Sequence, residues 1–170
     1  MLFPVTNFMN QVFKLRNLTV EQRICFARNT GCNRFVWNEL ISLNKKEYEA
    51  HQEYLKKVEE AQDDPDKVAN IPKVNRPSLR PYDVINKLPA IKKEYPFLKD
   101  AISQSLQQTA KHWAQAMKEA VSGKKGLPKW KKKFQNDSFC IPQYFEFDEA
   151  NDRVKLPKIG WVRYYNSAKL

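Results

Sequence analysis

RVKLPKIGWVRYY, Arg153–Tyr165, reads as two successive strands: a return strand RVKLP and a further strand GWVRYY. Just upstream, SFCIPQYFEF alternates Phe139, Ile141, Phe145 and Phe147, a third strand pattern with Pro142 at an edge or bulge. DEAND, residues 148–152, is the turn between them. At the other end of the chain, FMNQVFKLR (8–16) alternates Met9, Phe13 and Leu15 against Lys14 and Arg16, again a strand. One strand, a long block of helix and loop, and then three or more strands is the order that results. A lone first strand must pair with something, and the late strands are its candidates. The fold class is therefore α+β, with a helical block inserted into a small β-barrel or sheet.

The inserted block opens with Thr19-Val20-Glu21-Gln22, a capping box in which the Thr19 hydroxyl serves an early amide and Gln22 reaches back. A long helix is expected from residue 20, interrupted near Gly31 and continuing through NKKEYEAHQEYLKKVEEAQ. The acidic turn DDPD at 63–66 stops it, and the Pro-rich stretch to Pro81 reads as a loop. Helices are expected over 82–93 and 97–122. In the second, Ile102, Leu106, Ala110, Trp113, Met117 and Ala120 form an apolar stripe. Beside it runs a polar stripe of Gln104, Gln108, Lys111, Gln115 and Lys118. Cys25 and Cys32 continue into Val36 and Leu40 at helical spacing, so both read as small core residues rather than metal ligands. With Cys140 the cysteine count is odd, no C-x-x-C pair occurs, and a reducing, cytoplasmic compartment is expected. No leader or membrane-length apolar run is present, so no membrane partner is expected.

The formal charge of +11 favours a polyanion. Residues 111–170 hold 13 of the 30 Lys and Arg but only 6 of the 19 acids, so the excess is concentrated there. Its centre is GKKGLPKWKKKF, Gly123–Phe134, where Lys124, Lys125, Lys129, Lys131, Lys132 and Lys133 flank a Gly-Leu-Pro turn and Trp130. Lysines on ordered backbone neutralise phosphates with counterion release, while Trp130 can anchor the segment or stack on a base. The alternative is a solubilising loop with Trp130 in the core. The glutamines of the 97–122 helix can read adenine edges and its lysines can hold phosphate, although spacing alone equally describes a wet helix face. Arg34-Phe35-Val36-Trp37-Asn38 reads by spacing as a structural hydrogen-bonding cluster. Catalysis finds little support: His51 and His112 have no partner at motif spacing, and Asp63, Asp64 and Asp66 surround a proline in a helix-capping turn. No Walker-type loop or G-x-G-x-x-G occurs.

Three motifs in order resemble the transposon-encoded TnpB (OrfB) proteins. These are CNRFVWNEL at 32–40, SQSLQQ through GKKGLPKWKKKF at 103–134, and VKLPKIGWVR at 154–163. The first lies in a region that family describes as helix-turn-helix. The resemblance implies an RNA-guided DNA nuclease relative with an oligonucleotide-binding-like wedge barrel, interrupted by a helical recognition lobe. It places the first wedge strand in 1–18, the lobe in 19–122 and the remaining wedge strands in 123–170. Guide RNA and a target DNA duplex are the implied partners. Gln104, Gln107 and Gln108 join the lysine segment as implied contacts, and Trp130, Arg34, Asn38, Lys111 and Lys158 are further candidate contacts. Family members also carry a RuvC-like nuclease domain with three metal-binding acids, and a C-x-x-C zinc ribbon. Neither pattern occurs in these 170 residues, so Mg2+ and Zn2+ are not expected in this chain, nor cleavage of DNA by it alone. A nucleic-acid-binding module is the leading expectation. A freestanding DNA-binding regulator of transposition, or the non-catalytic half of a nuclease, are the alternatives.

Overall fold

The structure is a computed structural model that describes residues 14–135 and 138–165. Its elements in chain order are β1 (Leu15–Arg16), α1 (Val20–Glu60), α2 (Pro65–Ala69), α3 (Pro81–Ile85), α4 (Leu88–Glu94), α5 (Ser103–Val121), β2 (Glu146–Asp148), β3 (Arg153–Leu156) and β4 (Gly160–Tyr164). Two units group in space: residues 14–26 with 144–165, and residues 27–143.

The first unit is a four-stranded antiparallel sheet in the order β1-β4-β3-β2. The lone first strand thus pairs with the last, Leu15 opposite Tyr164 and Arg16 opposite Arg163. Met9 and Phe13 of the expected 8–16 strand lie outside the described residues. Val154, Val162 and Tyr164 are buried on one face, where the Phe147 ring meets Tyr164 edge-on at 6.2 Å. The β3–β4 turn uses Pro157 to preset one torsion, a left-handed Lys158 (φ 62°), and Gly160 at φ 80°. The expected long strand over 138–147 is corrected to Glu146–Asp148: Pro142 withholds a ladder donor and Tyr144 takes φ 62°, so pairing starts only beyond them. The capping box forms as read. Thr19 Oγ1 accepts from the Gln22 amide at 3.2 Å, and Gln22 Oε1 accepts from the Thr19 amide at 3.1 Å. The spare Gln22 Nε2 donates to the Trp161 carbonyl at 2.8 Å, tying the helix start to β4.

Asp148 organises the β2–β3 turn. It accepts from the Asn151 amide and side chain and, at 2.7 Å, from Arg153 Nε. The Asn151 hydrogen bonds first, and Arg153 second, hold its carboxyl below the usual value. A depressed carboxyl stabilises the turn above its unfolded-state pKa, near 4, and the contribution is lost as pH falls through the lower folded value. The Asn151 amide resonance should therefore hold steady from neutral pH down through the ordinary aspartate range and shift only below it. A midpoint at or above the ordinary aspartate value would contradict the arrangement.

The second unit is helical. α1 runs unbroken to Glu60, which corrects the expected interruption at Gly31. Glycine in a helix costs about 1 kcal/mol against alanine, less than the burial of Cys32, Val36 and Leu40 just beyond it contributes. Those three pack against Val84, Leu88, Ile91 and Leu98 and against Leu106, Ala110, Trp113 and Ala114 of α5. Cys32 is therefore core as expected, whereas Cys25 is only half-buried and Cys140 exposed. Asp64 caps α2, accepting from the Lys67 amide at 3.2 Å, so the capping role read for the acidic turn holds while the loop beyond it contains a short helix. Pro96–Asp100 forms a 3-10 turn, and α5 starts at Ser103 rather than 97.

The α1–α5 pairing is fixed by buried polar groups. Asn29 Oδ1 accepts from the Ile102 amide at 2.8 Å at the start of α5. Asn33 donates to Ser105 Oγ at 3.0 Å and accepts from Thr109 Oγ1 at 2.6 Å. Buried amides are costly unless bonded, so one register of these helices satisfies them and a slip of one turn would strand them. Sequence periodicity could not reveal this.

Candidate nucleic-acid interface

The lysine segment begins at a structured stop. Gly123, at φ 75°, ends α5 in a Schellman motif: its amide bonds the Ala120 carbonyl at 3.0 Å, and that of Lys124 bonds the Glu119 carbonyl at 2.9 Å. Glu119 then pairs with Lys125 Nζ at 2.7 Å and accepts from Gln115 at 2.8 Å, which lowers its pKa in that order. The Leu127-Pro128 corner follows.

Beyond the corner the chain is laid along α1 by two neighbouring side chains. Trp37 Nε1 donates to the Lys129 carbonyl at 3.0 Å. Asn38 grips Lys131 from both sides, accepting from its amide at 2.8 Å and donating to its carbonyl at 3.0 Å. The Lys131 ammonium sits 4.3 Å over the Trp37 ring. The RFVWN cluster is thus structural, as its spacing suggested, and what it structures is the basic segment. Lys129, Lys132 and Lys133 remain exposed, and Trp130 is 58% exposed, which removes the reading that buries it in the core. The anchoring indole is Trp37. Trp130 stands outward among lysines, the geometry that base stacking requires. Phe134, 83% exposed at φ 65°, closes the segment with Lys133 Nζ 4.8 Å from its ring.

Of the other expected contacts, Arg34 is half-buried on α1 one turn before Asn38. Gln107 and Lys111 are exposed on α5, and Gln104 and Gln108 half-buried. Gln104 Oε1 is buried without an acceptor's partner among the described residues. α5 meets the basic segment around Thr109 and His112, which line a recess of about 140 Å³ with Trp37 and Lys131. Lys158 is exposed at the hairpin tip of the other unit. Gln115 is held by Glu119.

The sheet carries cations that sequence reasoning missed. Register places Arg16, Arg163 and Arg153 side by side across three strands, with Asp148 at the end of the row, and Lys155 beside Trp161 in the next. Arg153 lies 4.5 Å from the Trp161 ring centre and Arg16 5.4 Å from that of Tyr165. Like charges directly opposite destabilise a sheet, and part of that repulsion is offset here by Asp148, 2.7 Å from Arg153, and by Glu146, 3.1 Å from Lys155. Alternation within VKLPKIGWVR was the available signal, once β1 was paired with β4.

Asn38→Ala is expected to strand the Lys131 amide and carbonyl at a local cost of about 1–3 kcal/mol. Amide hydrogen exchange at Lys131 should accelerate by tenfold or more while charge is unchanged. Unaltered protection would show that Asn38 does not hold the segment.

Residues 9–53 match the helix-turn-helix domain family HTH_OrfB_IS605. In this structure residues 20–53 of that stretch are a single helix. The chain is also 30% identical, over 164 residues, to "Putative RNA-guided DNA endonuclease InsQ" of Escherichia coli (strain K12). The match takes in 94% of this chain and 35% of that protein, so the chain spans about a third of the length of the relative. The similarity to TnpB/OrfB-type transposon proteins read from the three motifs is found by both comparisons. Among the described residues, no helix is long and apolar enough to cross a membrane, and no three His, Cys, Asp or Glu gather as a metal site.

Proposed function

We propose that this chain is a nucleic-acid-binding module of a TnpB-like transposon protein, holding guide RNA and contacting target DNA. One observation carries the proposal: Trp37 and Asn38 fix an extended, lysine-rich backbone whose exposed side chains are cations and an indole. A merely solubilising tail would not need three hydrogen bonds from a helix 92–93 residues distant in sequence. The similarity to an RNA-guided endonuclease supports guide RNA and target DNA as the ligands. The four-stranded sheet corresponds, in this proposal, to the wedge, with its arginine row a second phosphate contact.

A freestanding regulator reading DNA with two helices joined by a turn is less well supported. Residues 20–53 offer one continuous helix for that purpose. The test is binding of the purified chain to a structured RNA across a salt series. Six to ten phosphate contacts imply a loss of about three to five decades of affinity between 50 and 200 mM salt. Affinity that is flat over that range would overturn the proposal.

A further inference from the structure

Beside the lysine segment lies a cavity of about 480 Å³ between α1, the 76–79 loop, the last turns of α5 and the Leu127-Pro128 corner. We infer that it takes one unstacked base of a single-stranded nucleic acid held by the lysines, an inference that rests on the function proposed above.

The walls are mostly apolar, lined by Met117, Leu127 and Pro128 together with Tyr48, which is 47% exposed. Val121 and Leu127 also stay largely exposed there, an apolar surface that folding alone leaves uncovered. Two charged residues line the cavity, Lys45 and Arg76, and both are cations. Lys45 has one exposed partner, Glu49 at 3.8 Å. Asn44 adds an amide with both donor and acceptor, suited to a base edge. An apolar slot with cations at the rim complements a flat ring joined to phosphates. The volume falls in the range of small-ligand pockets, about 300–1,000 Å³, enough for a nucleoside but not for a stacked duplex.

An acidic amphipathic peptide would meet the same charge. The base is favoured by continuity: the corner that forms one wall is flanked in the chain by Lys124 and Lys125 on one side and Lys129 on the other. A polyanion held by Lys124 and Lys129 would lie one to three residues along the chain from that wall. Unstacked bases in single-stranded complexes are held on aromatic rings in this way.

The experiment scans a single abasic nucleotide along a short labelled oligonucleotide bound to the full chain. One position should weaken binding by about tenfold or more. Tyr48→Ala should erase that position's effect and Tyr48→Phe should keep it, with circular dichroism confirming that both variants fold. 4-Thiouridine at the same position should crosslink to peptides containing Asn44–Tyr48 or Met117–Pro128. Steep salt dependence with a flat abasic scan and crosslinks elsewhere overturns this inference and leaves the proposed function standing. Absence of salt-dependent binding overturns both. A Glu/Leu-rich peptide that blocks the crosslink without displacing the oligonucleotide assigns the cavity to a protein partner, and overturns it too.

Discussion

Replacing Lys129, Lys131, Lys132 and Lys133 together by Gln is expected to flatten the dependence of log affinity on log salt by about two to three units. Each single-strand phosphate contact contributes roughly 0.7 to that slope. Three of the four ammonium groups are exposed, while Lys131 lies on the Trp37 ring and should contribute less. The loss of affinity should be largest at low salt, amounting to two decades or more, and should shrink as salt rises. The backbone clamp by Asn38 and Trp37 involves main-chain atoms of Lys129 and Lys131, so the variant should keep the fold. A variant that binds structured RNA with an unchanged slope would remove this segment from the interface.

Trp113→Ala should have the largest effect on stability. The side chain is 1% exposed at the centre of the core formed by α1, α3, α4 and α5. Emptying such a site costs about 3–5 kcal/mol, a large part of the 5–15 kcal/mol that stabilises most domains. The indole nitrogen has no acceptor among the described residues, so the loss comes from packing rather than a broken hydrogen bond. Chemical denaturation followed by circular dichroism should show the midpoint fall by that equivalent. A loss below about 1 kcal/mol would mean that α5 does not pack as described.

Local patterns in the chain carried far. The capping box at Thr19 and Gln22 was legible because its two partners are three residues apart. That the first strand pairs with a late one followed from the impossibility of a solitary strand, while the choice of β4 among them needed the structure. The apolar stripe of α5 was legible through Trp113, but Met117 and Ala120 are only half-buried; Met117 lies against the edge of the core and also lines the cavity. Gly31 misled because the penalty for glycine is local, whereas the burial that overcomes it comes from distant helices. Over 138–147, alternation outvoted Pro142, and no sequence signal announced the positive φ of Tyr144.

Much of the candidate site was legible only as composition. The lysines, the proline and an indole in the segment could be named from their order. Which indole anchors and which one faces outward could not, since the deciding hydrogen bond joins Trp37 to Lys129 across 92 positions. Asn38 illustrates the same limit: it was named as a contact to nucleic acid, and in the structure its amide holds Lys131. The arginine row needs the strand register before it exists as a feature at all.

We propose that residues 123–134 form an ordered rail for a nucleic-acid backbone. Amide hydrogen exchange of the full chain, with and without a structured RNA at saturating concentration and low salt, tests it most directly. Added protection should concentrate at Lys124–Phe134 and in the α1 turn of Trp37 and Asn38, and should fade as salt rises. Formation of the complex with exchange across that segment unchanged would contradict the account.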